Sequence, residues 1–259
     1  MTAAAAAVLL EARGVQKHYG KFVALGGVDL NIRANTVHSV IGPNGAGKTT
    51  LFHMLTGNKT VSGGKIVFDG HDVTHEPDHR RVRRGMARSF QVTSLFPTLT
   101  VRENLRLAAQ GVAPAGAHNL WHPPFGRRAR ADVVQGVLKR LGLERLSDTP
   151  SSNLSHGQQR RLEVGMALAA RPKAIFLDEP TSGMGIDDLD EMKDLIQGLK
   201  EEHTVVLIEH NMNIVMNISD TITVMQQGRV IAEGKPDEIR SNALVRTAYL
   251  GNMITGGKA

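Results

Sequence analysis

The segment GPNGAGKTT, residues 42–50, has the residue types and spacing of a phosphate-binding loop. It fits the pattern G-x-x-x-x-G-K-[ST], in which Gly42, Gly47, Lys48 and Thr49 hold the fixed positions. Glycines allow successive backbone N–H groups to converge on phosphate oxygens with no side chain in between. We expect Lys48 to bring its charge to the β- and γ-phosphates and the Thr49 hydroxyl to ligate Mg²⁺.

The residues on either side of this loop predict the elements that such a loop requires. VHSVI, residues 37–41, predicts a short buried strand that enters the loop. KTTLFHMLTG, residues 48–57, predicts a helix that leaves it, so the helix N-terminus faces a bound anion. Because motif, strand and helix coincide, a chance glycine-rich turn is the weaker explanation.

Two acidic residues, Asp178 and Glu179, follow the apolar residues 174–177. Four consecutive apolar residues predict a parallel strand that is buried on both faces. A pair of carboxylates at the end of such a strand is costly unless a positive group meets it, and ligands bind at this edge of open parallel sheets. We expect Asp178 to hold Mg²⁺ through water and Glu179 to polarise an attacking water. The alternative is that Asp178 caps a helix.

Two isolated residues, His210 and Tyr19, stand where they could contact a nucleotide, although each also has a structural explanation. His210 follows the predicted strand 204–209, and a neutral imidazole there could form a hydrogen bond with a γ-phosphate. Tyr19 is predicted on a turn before the second strand, where packing in the core is favoured over stacking on a purine. Gln91 ends a predicted strand and carries no information by itself.

The octet LSHGQQRR, residues 154–161, predicts the start of a helix. Ser155 can cap this helix, and Gly157 allows another group to approach its N-terminus closely. An ordinary capped helix would be the better interpretation if this octet stood alone.

The rest of the chain predicts an alternation of strands and helices, with a mostly helical stretch over about 92–152. Strands are expected at residues 8–13 and 22–32. Two hairpins are expected to turn at Asp69-Gly70 and Gln227-Gly228.

Length and composition allow one large α/β domain or two small ones. The chain has 259 residues, a net charge of +6 and no cysteine, so disulfide bonds are excluded. Five arginines lie between residues 80 and 88 and predict a solvated basic surface, with an acidic partner or lipid headgroups as the alternative. No run of 18 apolar residues exists, which predicts a cytoplasmic protein.

In their order along the chain, these features resemble the ATP-binding cassette (ABC) ATPases. The phosphate-binding loop matches their Walker A motif, and AIFLDE at residues 174–179 matches Walker B. LSHGQ at residues 154–158 matches the cassette signature. Tyr19 matches the aromatic residue that stacks on adenine, Gln91 the glutamine loop, and His210 the switch histidine. The signature is the specific part, because Walker motifs occur in many NTPase families.

The resemblance implies a fold, a pair of cofactors and a set of site residues. The fold is α/β, a P-loop NTPase (RecA-like) core with an N-terminal antiparallel β subdomain and an inserted α-helical subdomain. One ATPase domain would span residues 8–250, with the helical part at about 92–165 and a tail at 251–259. The cofactors are ATP and Mg²⁺. Catalysis would fall to Glu179, His210 and Lys48, and Mg²⁺ to Thr49, Gln91 and Asp178. ATP would be bound by Tyr19, Gly42, Pro43, Asn44, Gly45, Ala46, Gly47, Lys48, Thr49, Thr50, Gln91 and Asp178, while Ser155, Gly157 and Gln158 would act on the ATP of a partner.

Finer features are similar to the importer ATPases for branched-chain amino acids, although urea, amide and other small-solute importers share them. They include VLIEHNMNIVM and a tail with AYLG. This resemblance implies a second cassette, as a paralogue or a copy of the same chain, transmembrane permease subunits and, indirectly, a solute-binding protein. It places the chain peripherally at the cytoplasmic face of the inner membrane and implies no nucleic acid.

One position departs from the family pattern. Gly185 stands where the loop after Walker B usually carries Asp or Asn, the residue that links the two nucleotide sites, and Asp187 is the one candidate to replace it. A regulatory module that does not hydrolyse ATP is therefore one rival. A soluble cassette ATPase that acts on DNA or ribosomes is another, as is an unrelated P-loop kinase, which leaves LSHGQ unexplained.

Overall fold

The computed structural model describes residues 7–89, 95–111 and 125–248. The strands are β1 (Val8–Tyr19), β2 (Phe22–Arg33), β3 (Val37–Ile41), β4 (Gly63–Phe68), β5 (His71–Asp72), β6 (Met86–Arg88), β7 (Ala174–Asp178), β8 (Thr204–Ile208), β9 (Thr221–Gln226) and β10 (Arg229–Gly234). The helices are α1 (Lys48–Leu55), α2 (Asp78–Arg83), α3 (Val101–Gly111), α4 (Phe125–Leu141), α5 (His156–Leu168), α6 (Ile186–Leu199), α7 (Met212–Ile218) and α8 (Pro236–Ser241). None of the helices in the described ranges is long and apolar enough to cross a bilayer.

The chain divides into two compact units. The first comprises Met1–Arg81 and Ile196–Ala259, and the second comprises Val82–Leu195. The α/β fold with an N-terminal antiparallel sheet is confirmed. The prediction of one ATPase domain over residues 8–250 with an inserted helical part at about 92–165 stays a prediction.

The first unit contains an antiparallel sheet in the order β2-β1-β4-β5. Its core side carries alternate apolar residues of β1, among them Leu10 and Ala12, which are both 1% exposed. The predicted turn at Asp69-Gly70 is confirmed, since Phe68 pairs with His71 and the two turn residues have φ of 49° and 75°. Positive φ at both central residues is the turn geometry whose twist suits a two-residue hairpin.

The first unit also holds a parallel arrangement in which β3 pairs with β8 on one side and with β9 on the other. Every residue of β3 and β8 is buried, as expected for strands covered on both faces. The β9–β10 hairpin is antiparallel and turns at Gln227-Gly228, with φ of 48° and 75°, as predicted.

The second unit combines a short parallel pair, β6 and β7, with the helices α3, α4 and α5, which pack against one another. Helix α3 begins with a capping box, in which the Glu103 carboxylate accepts from Thr100 N at 2.8 Å and Thr100 Oγ1 accepts from Glu103 N at 3.2 Å. The fully buried Asn104 donates to the carbonyls of Phe96, Leu99 and Thr100, which fixes the chain segment that precedes the helix.

The arginine-rich segment is only partly the basic surface that the sequence predicts. Arg80 and Arg83 are exposed, but Arg81 is 1% exposed. Its guanidinium donates to the carbonyl oxygens of Met54 and Leu55 at 2.8 and 2.7 Å, so it satisfies the C-terminal end of α1. Burial lowers the pKa of Arg81 to about 10. This role could not be predicted from the sequence, because the buried arginine has the same residue type as its exposed neighbours.

Candidate nucleotide-binding site

The phosphate-binding loop follows β3 and leads directly into α1, as the sequence predicts. Gly42, Gly45 and Gly47 have φ of 152°, 78° and 97°, a region that residues with a side chain rarely adopt. Gly47 is the N-cap of α1 and provides no side-chain hydrogen bond to its first turn. The first N–H groups of α1 therefore keep their capacity to bind an anion.

The loop leaves no room for a side chain at two of its glycines. A Cβ on Gly42 would overlap with the backbone carbonyl of Met225, and a Cβ on Gly47 would lie 2.9 Å from the carbonyl oxygen of Ala24. Lys48 is 6% exposed, and its ammonium group donates to the carbonyl oxygens of Gly42 and Pro43 at 2.7 and 3.1 Å. The Lys48 side chain therefore folds over the phosphate-binding loop and binds two of its backbone carbonyl oxygens.

The turn of the β9–β10 hairpin supports this loop, a role that the sequence did not reveal. Gly228 N donates to Ala46 O at 2.9 Å, and Gly26 N donates to Gly228 O at 2.9 Å. A Cβ on Gly228 would lie 2.5 Å from the carbonyl oxygen of Ala24. A Gln-Gly turn predicts a hairpin, but no local signal tells which distant backbone its glycine contacts.

His210 lies at the same sheet edge as the phosphate-binding loop. Val40 of β3 is in register with Ile208 of β8, and both chains leave the parallel sheet at their carboxyl ends. Strand β8 ends at Ile208 rather than at Glu209, and His210 is exposed. The first unit therefore places the phosphate-binding loop and His210 at the same edge of the sheet.

Tyr19 differs from the prediction in both position and burial. It is the last residue of β1 rather than a turn residue, and it is 42% exposed, so it is not a core residue. The ammonium groups of Lys17 and Lys59 lie 5.2 and 5.5 Å from the centre of its ring. An exposed ring of this kind is suited to stacking on a flat ligand.

Asp178 is the last residue of β7 in the second unit, and Glu179 is the first residue after the strand. Every residue of β7 is buried, and the Asp178 side chain is fully buried, with its Oδ2 3.2 Å from the guanidinium of Arg88. A positive group therefore meets the buried carboxylate, as its burial requires. The sequence counted Arg88 among the surface arginines and missed this pair, since β6 and β7 are separated by about 90 residues in the chain.

Glu179 has a backbone conformation that is rare for a residue with a side chain. Its φ is 50°, in the left-handed region, which costs about 1 kcal/mol for a non-glycine residue. Such strain clusters at functional sites because it directs a side chain where a relaxed backbone would not.

The signature segment forms the predicted helix start. Ser155 Oγ accepts from Gln158 N at 3.2 Å, and Gln158 Oε1 accepts from Ser155 N at 3.0 Å, a reciprocal capping box. Ser155 is exposed and keeps its own hydroxyl hydrogen for another acceptor. The capping box uses neither the N–H of His156 nor that of Gly157 at the start of α5, so both can face an anion.

Neither Gln91 nor a metal site is among the contacts described above. Gln91, a proposed ligand of ATP and Mg²⁺, lies outside the described residues. Among the residues that the structure describes, no group of three or more His, Cys, Asp or Glu side chains could hold a metal ion.

Comparison with known proteins agrees with these features. A sequence family described as ABC transporter matches residues 25–182, and a family described as branched-chain amino acid ATP-binding cassette transporter matches residues 229–253. The chain is 39% identical to the high-affinity branched-chain amino acid transport ATP-binding protein BraF of Pseudomonas aeruginosa, over 94% of this chain and 98% of that protein. It is 38% identical to the protein LivG of Escherichia coli K12, with the same coverage.

The solved structures that are similar to this chain include ATP-binding cassettes of ABC transporters. A nucleotide-free ATP-binding cassette from an ABC transporter superposes with a TM-score of 0.83 at 30% identity, covering 94% of this chain and 99% of that one. The ADP conformation of the cassette MJ1267 gives 0.82 at 31% identity, with coverage of 95% and 99%. A dimeric structure of the bacterial cassette MJ0796 gives 0.75 at 27% identity, with coverage of 88% and 99%.

Proposed function

Because the chain belongs to the ABC transporter family of ATPases, we propose that it is the ATP-hydrolysing subunit of a membrane importer for branched-chain amino acids. The observation that carries this proposal is that one chain holds two segments that can bind phosphate. One is the phosphate-binding loop before α1, and the other is the start of α5, where the exposed Ser155 is the N-cap. The amino-acid substrate is supported by the family match at residues 229–253 and by the similarity to BraF, a branched-chain amino acid transport protein.

Binding of ATP begins with the loop at residues 42–50. Its backbone N–H groups surround the phosphates, and Lys48 exchanges the carbonyls of Gly42 and Pro43 for the β- and γ-phosphate oxygens. The other loop residues, Asn44, Gly45, Ala46, Gly47 and Thr50, shape this cradle, and the exposed ring of Tyr19 stacks on the base. Thr49, Asp178 and Gln91 would hold Mg²⁺, which would supply positive charge to offset that of the phosphates.

Glu179 then activates the attacking water. It orients the water in line with the γ-phosphate and accepts its proton as the water oxygen forms a bond to phosphorus and the bond to the β-phosphate oxygen breaks. Lys48 and His210 stabilise the negative charge on the transferring phosphoryl group. The unusual φ of Glu179 is suited to this task because it sets the direction of the carboxylate.

One chain supplies only half of each reaction site. We propose that Ser155, Gly157 and Gln158 of a second cassette complete it, with Ser155 and Gly157 donating to the γ-phosphate and Gln158 holding Ser155 in place. ATP then favours the closed dimer and ADP does not. The second cassette is a paralogue or a copy of this chain.

The coupled partners lie in the membrane. Permease subunits dock on the helical part of the chain at the cytoplasmic face of the membrane, a solute-binding protein acts on the permease, and nucleic acid plays no part. Gln91 transmits to this docking region the conformational change that follows loss of the γ-phosphate.

The substrate is tested by capturing the permease from membranes with this chain. Uptake of labelled leucine or labelled urea is then measured in vesicles that contain the recovered permease. Uptake of urea alone would contradict the branched-chain assignment.

Glu179→Gln tests the hydrolytic centre. The variant should bind ATP with unchanged affinity, lose hydrolysis by at least about 100-fold and form a dimer that depends on ATP, because the bond-breaking step is blocked after closure. Phosphate release and light scattering measure the two effects. Glu201→Gln, which changes an exposed glutamate, is the matched control and should behave as the wild type. Normal turnover of Glu179→Gln would remove Glu179 from this role.

A further inference from the structure

In the second unit, the chain that follows β7 folds back onto the start of α5. His156 Nε2 lies 3.2 Å from Ser182 O, and a Cβ on Gly183 would lie 3.2 Å from the same nitrogen. One helical turn further along α5, Arg161 forms an ion pair of 2.5 Å with Glu191 of α6. These contacts fix residues 182–191 against the end of α5 that carries the signature.

Between these contacts, the side chain of Asp188 reaches the start of α5. A Cβ on Gly157 would overlap with all three carboxylate atoms of Asp188, so the absent side chain of Gly157 is what leaves room for this acid. Asp188 is half-buried, and within the described ranges it takes part in no salt bridge. The carboxylate lies at the N-terminal end of α5, where the helix dipole favours a negative charge.

We propose that Asp188 is an internal anion that opposes the approach of a partner's γ-phosphate to Ser155 and Gly157. A carboxylate and a phosphate that compete for one helix terminus repel each other, so closure of two cassettes requires more ATP than it would without this acid. The device prevents stable closure at low ATP. It rests on the proposed function, since it presupposes that the signature of one chain meets the ATP of another.

A purely structural role for Asp188 makes a different prediction. An acid that only stabilises the start of α5 would, when neutralised, lower the melting temperature and leave the ATP requirement of dimerisation unchanged. Competition with the γ-phosphate predicts instead that neutralisation lowers the ATP requirement. The two roles are therefore separated by measuring ATP dependence and thermal stability on the same variants.

The experiment introduces Asp188→Asn into the full-length Glu179→Gln chain and follows dimerisation by light scattering during an ATP titration. Asparagine keeps the shape of the side chain and removes its charge. We expect the ATP concentration at half-dimerisation to fall by about threefold to tenfold, and this difference to shrink in 0.5 M salt, where the Debye length is only about 4 Å.

Asp194→Asn in the same background is the matched control, because Asp194 is an exposed acid of the same helix that lies about 1.7 turns beyond Asp188. It should leave the half-dimerisation concentration unchanged. An equal fall with Asp194→Asn, or no fall with Asp188→Asn, would overturn the proposal. Absence of any ATP-dependent dimer in the parent Glu179→Gln chain would instead contradict the proposed function.

Discussion

At the scale of single residues, several residues of the candidate site have defined hydrogen-bond partners or unusual backbone conformations within the chain itself. Lys48 donates to two carbonyl oxygens of its own loop, and Ser155 and Gln158 cap each other. Glu179 has a backbone conformation with positive φ.

Lys48→Ala should weaken ATP binding strongly. The lysine makes charge-assisted hydrogen bonds, each worth about 1.5–3 kcal/mol, so the Kd should rise by about 10- to 100-fold. Calorimetric titration with ATP measures this. Lys65→Ala, which removes an exposed lysine paired with Asp72, should leave the Kd unchanged. Unchanged binding by Lys48→Ala would contradict the assignment of the loop.

Gly185→Asp should change the cooperativity of hydrolysis in ATP more than the affinity. A Cβ at Gly185 meets no atom within 4 Å, and its carbonyl oxygen accepts from Leu189 N at 3.0 Å, so it stands at the N-cap of α6, where aspartate is favoured. The fold should therefore accept the change. The measurement is the Hill coefficient of ATP hydrolysis by the assembled transporter. An unchanged coefficient would count against a link between the two nucleotide sites at this position.

At the scale of elements, the phosphate-binding loop depends on strands that lie far from it in the sequence. The β9–β10 turn bonds to Ala46, and the carbonyl of Met225 on β9 limits the space at Gly42. The parallel pairing of β3 with β8 places His210 at the edge where this loop begins. The conformation of the loop therefore depends on the neighbouring strands as well as on its own glycines.

Gly228→Ala should lower both stability and ATP affinity. Its φ of 75° costs about 1 kcal/mol for alanine, and the new Cβ would press on the Ala24 carbonyl behind the loop. Gly70→Ala is a matched control, because Gly70 has the same φ in the same kind of turn but a Cβ there meets nothing within 4 Å. ATP titrations and thermal melts of both variants separate the strain of the turn from the effect on the loop. Equal ATP affinities would refute the support role.

At the scale of the whole molecule, one buried group links stability to pH. His38 of β3 is 1% exposed and its Nε2 lies 2.8 Å from Thr223 Oγ1, which donates to the Glu233 carboxylate at 2.7 Å. Because Thr223 uses its hydrogen for Glu233, His38 Nε2 is the donor to Thr223. Burial lowers the pKa of His38 from 6.5 to about 4.

The free energy of unfolding should therefore decrease as the pH falls from 6.5 to 4. In this window the unfolded chain binds a proton at His38 and the folded chain does not, so protons favour unfolding, by about 3 kcal/mol in total. Urea unfolding at pH 5 and pH 7 measures the effect. His38→Gln keeps a donor for Thr223 and should lose this part of the pH dependence. An identical pH dependence in both proteins would contradict the buried neutral imidazole.

The sequence by itself determined the local features of this protein. The phosphate-binding loop, the capped start of α5, the two Gly-containing hairpin turns and the buried strands all follow from residue types within a short window, because backbone conformation and helix capping are local properties. The ordered set of motifs was enough to indicate an ABC ATPase.

Only the tertiary structure decided which distant residues meet. The burial of Arg81, the pairing of Arg88 with Asp178, the exposure of Tyr19 and the approach of Asp188 to Gly157 all involve contacts between separate elements. From the sequence alone, the arginines would be interpreted as solvated surface charges and the tyrosine as a residue packed in the core. Long-range contacts depend on strand pairing and helix packing, which place a side chain according to the whole unit rather than to its neighbours in the chain.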